Sequence, residues 1–211
     1  MKKTDKIYHS SQSEKRSINF RRKLKESDMN KFKNWFLMAI EQAFYEEKKQ
    51  LVLTGELRYI LAIVFKWLVG ELQIDSNRGL LFRGQVGNGK SSIMKACYMF
   101  CKTFYEVNCM YVNADKVSRL YEENSESSHF EINKLMSCRL LFIDDIGCEA
   151  VKVYNFHPMS EIIRERYDKK RITCATTNRT HKELRQIYGD SFEDKLSHMT
   201  YLIEFEETSK R

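Results

Sequence analysis

The chemistry most legible in this 211-residue chain lies in Gly84-Gln85-Val86-Gly87-Asn88-Gly89-Lys90-Ser91. The segment fits G-x-x-x-x-G-K-[ST] in full, with an apolar strand pattern before it and a helical pattern after it. Glycine at 84, 87 and 89 permits positive φ and close approach of backbone to an anion. Consecutive N–H groups then form a concave nest at a helix N-terminus, where the macrodipole adds positive potential. Lys90 would place a point charge on the β- and γ-phosphates of a nucleotide, and Ser91 would offer a hydroxyl to Mg²⁺. Three of the chain's eight glycines fall within the six positions 84–89, which argues against a chance turn carrying an exposed lysine.

Downstream, Leu140-Leu141-Phe142-Ile143-Asp144-Asp145 reads as a central strand, buried on both faces and ending in two carboxylates. Asp144 is the candidate to hold Mg²⁺ through its water shell. Asp145, on the opposite side of the pleat, is the candidate to polarise an attacking water. Such a pair can also cap the helix that follows, but the upstream loop favours the metal reading. Thr176-Thr177-Asn178 closes a further strand. The Asn178 amide has three readings: a contact to the γ-phosphate or its water, a strand-to-turn Asn, or the N-cap of a helix over 181–188.

These groups need a sheet to bring them together. From residue 79 the pattern alternates strands (79–83, 109–112, 139–144, 171–177, 200–205) with helices (90–104, 115–121, 130–137, 159–169 and short helices to 198). That alternation predicts a mostly parallel sheet covered on both faces, with ligands at the carboxyl ends of its strands. Before it, three- and four-residue apolar steps from Phe32 to Phe44 predict a helix from about residue 31. A second helix is expected over 54–70, with Thr54 as N-cap and Gly70 near its C-terminus. The expected organisation is a basic flexible arm over 1–30, a helical segment over 31–78 packed on the core, and a core over 79–211.

Charge is concentrated in the arm. Residues 1–35 hold eleven cations and four anions, and the remainder carries 25 of each sign, so the net +7 belongs to one segment. Two readings stand for the arm, a grip on nucleic-acid phosphates or a docking segment for a protein, beside that of a solvated tail. The basic cluster Arg164, Arg166, Lys169, Lys170 and Arg171 reads mainly as a helix face. No apolar segment follows the basic N-terminus as in a secretory leader, and the greasy run over 59–69 is too short to span a membrane. Six cysteines without a leader are expected as free thiols, and the location as cytoplasmic.

The segments GLLFRGQVGNGKSS (79–92), LLFIDDIG (140–147), IIRERYDKKRITCATTN (162–178) and ELRQIYGDSFEDKLSHM (183–199) resemble the DnaC/IstB-like branch of the AAA+ ATPases. The resemblance covers about residues 55–205. It implies a P-loop NTPase fold of AAA+ type: a five-stranded parallel sheet sandwiched by helices, with a helical N-terminal extension. It implies Gly84, Gln85, Val86, Gly87, Asn88, Gly89, Lys90, Ser91 and Ser92 for ATP, and Ser91 with Asp144 for Mg²⁺. Lys90, Asp145 and Asn178 take the catalytic places, Asp145 activating water and Asn178 sensing the γ-phosphate. The family implies a homo-oligomer on ATP binding, single-stranded DNA, and a replicative helicase or transposase as partners.

One departure stands out. The family's closing segment usually holds two arginines where this chain has Ser191 and Lys195. Lysine keeps the charge but loses the planar fork, so slow or partner-stimulated hydrolysis is expected. Arg179 and Arg185 are candidate replacements. The expected function is that of a helicase loader that hydrolyses ATP. A transposition-associated ATPase, a low-turnover ATP-dependent switch or scaffold, and a small P-loop kinase are the alternatives.

Overall fold

A computed structural model describes residues 26–105, 107–149 and 157–205. Most of the basic arm, residues 1–25, lies outside the described residues, and the readings offered for it go with them. Five strands, β1 (Gly79–Arg83), β2 (Cys109–Asn113), β3 (Leu140–Ile146), β4 (Ile172–Thr177) and β5 (Thr200–Glu204), form one sheet in the order β2-β3-β4-β1-β5. Every neighbouring pair is parallel. The apolar runs of the inner strands β1, β3 and β4 are buried on both faces, as a parallel sheet covered by helices requires.

The alternating residues of each strand sort the core into two layers. Leu80, Phe82, Leu140, Phe142, Cys174 and Ile203 face α1 (Met29–Glu46), α2 (Gly55–Leu68) and α3 (Lys90–Phe104). Leu81, Leu141, Ile143 and Ala175 face α4 (Ala114–Glu123), α5 (Glu126–Ser137), α6 (Pro158–Asp168), α7 (His181–Tyr188) and α8 (Asp190–Met199). The aromatic face of α1 locks onto α3: Phe32 and Trp35 meet Phe104 edge-on, with ring centroids 4.9 and 5.0 Å apart. Thr54 caps α2 by accepting the Leu57 N–H at 3.1 Å, and Gly70 follows the helix at φ 79°.

Two features correct the sequence reading. Strand β3 does not stop at Asp144. It runs on to Ile146 through a bulge, where its register against β4 shifts between Ile143 and Ile146. At that bulge Asp145 takes φ 60°, so its side chain is not placed by simple pleat alternation.

The basic cluster is not simply an outer helix face. Arg166 is fully buried, and its guanidinium donates to the carbonyls of Leu135, Cys138 and Ile172 at 2.8, 2.8 and 2.6 Å. A further bond reaches Thr173 Oγ1 at 2.9 Å. This one side chain ties the end of α5 to the start of β4. Burial pulls its pKa down to about 10, leaving it cationic at neutral pH. Arg171 likewise donates inward, to Met136 O at 2.9 Å.

Candidate functional site

Strand β1 ends at Arg83 and α3 begins at Lys90, so residues 84–89 make the turn between them at the carboxyl edge of the sheet. Gly89, the N-cap, has φ 84° and no side chain with which to cap the first-turn N–H groups of α3. A Cβ at Gly89 would lie 2.5 Å from Phe44 Cζ, so α1 presses directly on the loop. Gly84 is held as closely from the other side, where a Cβ would meet the Phe205 side chain at 2.8 Å.

The ammonium of Lys90, a residue only 4% exposed, donates to Gly84 O at 2.7 Å and Gln85 O at 2.5 Å. Burial lowers its pKa, while Asp145 and Asp144 act in the opposite direction. One residue on, Ser91 Oγ donates to Asp144 Oδ1 at 2.9 Å. Ser92 Oγ is buried and has no hydrogen-bond partner among the described residues. The tip is different: Val86 is 82% exposed.

Asp144 is held from three sides. Besides Ser91, Thr176 Oγ1 donates to Oδ1 at 2.6 Å and the Tyr111 hydroxyl to Oδ2 at 2.8 Å. Asp145 lies half-buried beside it. Desolvation and the Asp144 charge raise its pKa, with Lys90 acting against them. A carboxylate so placed gains basicity toward a water proton. Asn178 follows β4, its Nδ2 donating to Cys148 Sγ at 3.7 Å. The Cys148 N–H in turn donates to Asp145 O at 3.2 Å, so Cys148 links Asn178 to the end of β3. The capping reading of Asn178 fails, because Thr180 caps α7 through a reciprocal box with Glu183.

The structure thus gathers Lys90, Ser91, Asp144 and Asp145 at one edge, with Asn178 alongside. It adds groups that no motif marked. Glu47 and Lys49, paired at 2.6 Å just past α1, both bear electrostatically on Asp145. Beside the loop, Phe44, Gln50, Val52, Leu57, Ile60 and Asn88 help line a cavity of about 190 Å³. Asn88 belongs to the loop itself; Phe44, Leu57 and Ile60 showed in sequence only as helical periodicity, Gln50 and Val52 carried no signal, and the fold alone brings these five to the loop.

Three comparisons bear on identity. A family model described as IstB-like ATP binding protein matches residues 64–211, from within α2 to the C-terminus. The chain belongs to the IstB-like ATP-binding family. Among solved structures, the DnaC helicase loader aligns with a TM-score of 0.63 at 18% identity, over 82% of this chain and 99% of that one. DnaI aligns with a TM-score of 0.57 at 17% identity, over 74% and 87%. AMPPCP-bound DnaA from Aquifex aeolicus gives 0.58 at 18% identity, over 74% of this chain and 48% of that one. This chain therefore spans about half the length of that DnaA chain. No curated protein matches it by sequence. The family match and these likenesses agree on an IstB-like ATP-binding chain with the five-stranded P-loop NTPase fold anticipated above.

For an IstB-like chain the arginine question has a structural answer in cis. Arg185 pairs with Glu193 and Asp194 at 3.0 and 3.2 Å, and Arg179 donates to Gly147 O at 3.1 Å. Neither candidate replacement is an uncommitted cation. Ser191 and Lys195 share a groove of about 330 Å³ with His157 and Arg164. Among the described residues no helix is long and apolar enough to cross a membrane.

Proposed function

We propose that the chain hydrolyses ATP in the loop between β1 and α3 and acts as a helicase loader, gripping single-stranded DNA and a replicative helicase. The observation that carries the nucleotide reading is the convergence of Lys90, Ser91 and Asp144 on one uncapped helix N-terminus. Residues 84–92 hold the phosphates. The buried Ser92 hydroxyl, without a partner among the described residues, fits a site completed by a polar ligand. The cavity beside Asn88 accommodates the base between apolar side chains.

Ser91 and Asp144 would hold Mg²⁺, an all-oxygen donor pair suited to a hard cation. Bound there, it would neutralise charge on the β- and γ-phosphates. Lys90 exchanges its loop carbonyls for phosphate oxygens. Asp145 takes a proton from the attacking water as the bond from the γ-phosphorus to the ADP oxygen breaks. Asn178 orients that water or the γ-phosphate from the end of β4.

Two second readings have specific support. The matching family is described as IstB-like, which favours a transposition-associated ATPase with a transposase as partner. The commitment of Arg179 and Arg185 in cis, with Ser191 and Lys195 in the closing segment, favours a low-turnover switch unless a neighbouring subunit supplies a cation. Turnover measured with and without single-stranded DNA and the captured partner decides between them. Stimulation by DNA and helicase supports loading, stimulation by a transposase supports the transposition role, and no stimulation leaves the switch. Nucleotide that fails to bind at all removes all three.

A further inference from the structure

Tyr111 belongs to none of the motifs above. It lies on β2, in register with Phe142 of β3 and two residues before the Asn113–Asp144 pair. Its ring packs against Tyr98, 5.7 Å between centroids, and its hydroxyl reaches Asp144 Oδ2 at 2.8 Å. The other two donors to this carboxylate, Ser91 and Thr176, both address Oδ1. A carboxylate anchored at one oxygen can still turn about its Cβ–Cγ bond. A donor on the second oxygen fixes its plane.

We propose that Tyr111 is a positioning residue for the divalent cation that Ser91 and Asp144 would hold, an inference that rests on the nucleotide reading above. The phenol sets the plane of the Asp144 carboxylate and so the direction in which its lone pairs meet metal-bound water. If Ser91 Oγ turns to the cation, Thr176 and Tyr111 are left as the two donors that keep Asp144 in place, one on each oxygen. Outer donors of this kind change metal affinity by about 10–100-fold when removed.

The test compares Tyr111→Phe with Tyr98→Phe, since each removes one hydroxyl and keeps its ring. Mn²⁺ binding is followed by electron paramagnetic resonance in the presence of a non-hydrolysable ATP analogue. Affinity for that analogue is measured separately in excess EDTA. The expected result is a loss of about 10-fold in Mn²⁺ affinity for Tyr111→Phe, with metal-free nucleotide affinity held within about 2-fold and Tyr98→Phe unchanged. Unchanged Mn²⁺ affinity in Tyr111→Phe overturns the proposal. So does an equal loss in Tyr98→Phe, or a matching loss of metal-free nucleotide affinity, which would mark a disturbed fold. Should the unsubstituted protein bind no nucleotide, the site reading itself fails, and that result is distinct from the others.

Discussion

Thr176 Oγ1 lies 2.6 Å from Asp144 Oδ1 and donates to it, and the same oxygen accepts the Asp145 N–H at 2.9 Å. One hydroxyl on β4 therefore stitches together the two acidic residues of β3 at its bulge. Thr176→Val keeps the shape but leaves a half-buried N–H without its acceptor, at a cost of about 1–3 kcal/mol. ATP turnover is expected to fall about 10-fold or more, and Thr176→Ser to recover most of it. Thermal melts and steady-state turnover on the two variants check this. Full activity in Thr176→Val would show that the bulge holds without the hydroxyl.

Lys90 is the buried cation of the loop. Lys90→Ala removes charge-assisted bonds worth about 1.5–3 kcal/mol, so ATP affinity should drop roughly 10–100-fold by calorimetric titration. Lys90→Arg is not expected to rescue it, because the broad guanidinium must enter a slot that leaves the lysine 4% exposed. Affinity retained in Lys90→Ala would remove the loop from the site.

Asp145 carries a pH signature. Its pKa in the fold lies above the ordinary 3.8, chiefly through burial and then through the Asp144 charge. The folded carboxyl binds its proton more tightly than the unfolded one. The stabilising contribution is thus present below about pH 3.8 and lost as pH rises through the folded value. At pH 7 the ionised group opposes folding. Asp145→Asn, neutral at every pH, should melt on the order of 1–3 °C higher at pH 7. The gain should vanish toward pH 4 while turnover is lost. A melting difference independent of pH would contradict this account.

Arg166 makes the strongest stability prediction. Arg166→Met fills much of the same volume but strands the carbonyls of Leu135, Cys138 and Ile172. The expected loss is about 3–5 kcal/mol, or a melting temperature lower on the order of 10 °C. Arg164→Met, on the exposed side of the same helix, should change stability by less than about 0.5 kcal/mol. Denaturant melts of the pair separate the two. Equal, small effects would return Arg166 to the surface role that its sequence neighbours suggest.

Contiguous signals were readable in advance because their physics is local. A glycine-rich turn followed by Lys90 and Ser91 needs only backbone freedom and a helix start, and alternating strand and helix patterns need only apolar periodicity. The parallel sheet and the loop at the carboxyl edge of its strands follow from those patterns. Tertiary structure alone decided what depends on register and on which face a residue reaches. Pairing β2 with β3 brought Tyr111 to Asp144, and the bulge between Ile143 and Ile146 turned Asp145 out of simple alternation. Arg166 illustrates the same limit: in sequence it is one of five neighbouring cations, and only the closing of α5 against β4 surrounds it with carbonyl oxygens. Side-chain type and spacing carry the chemistry a residue can do, but its partners come from distant segments whose approach no local pattern encodes.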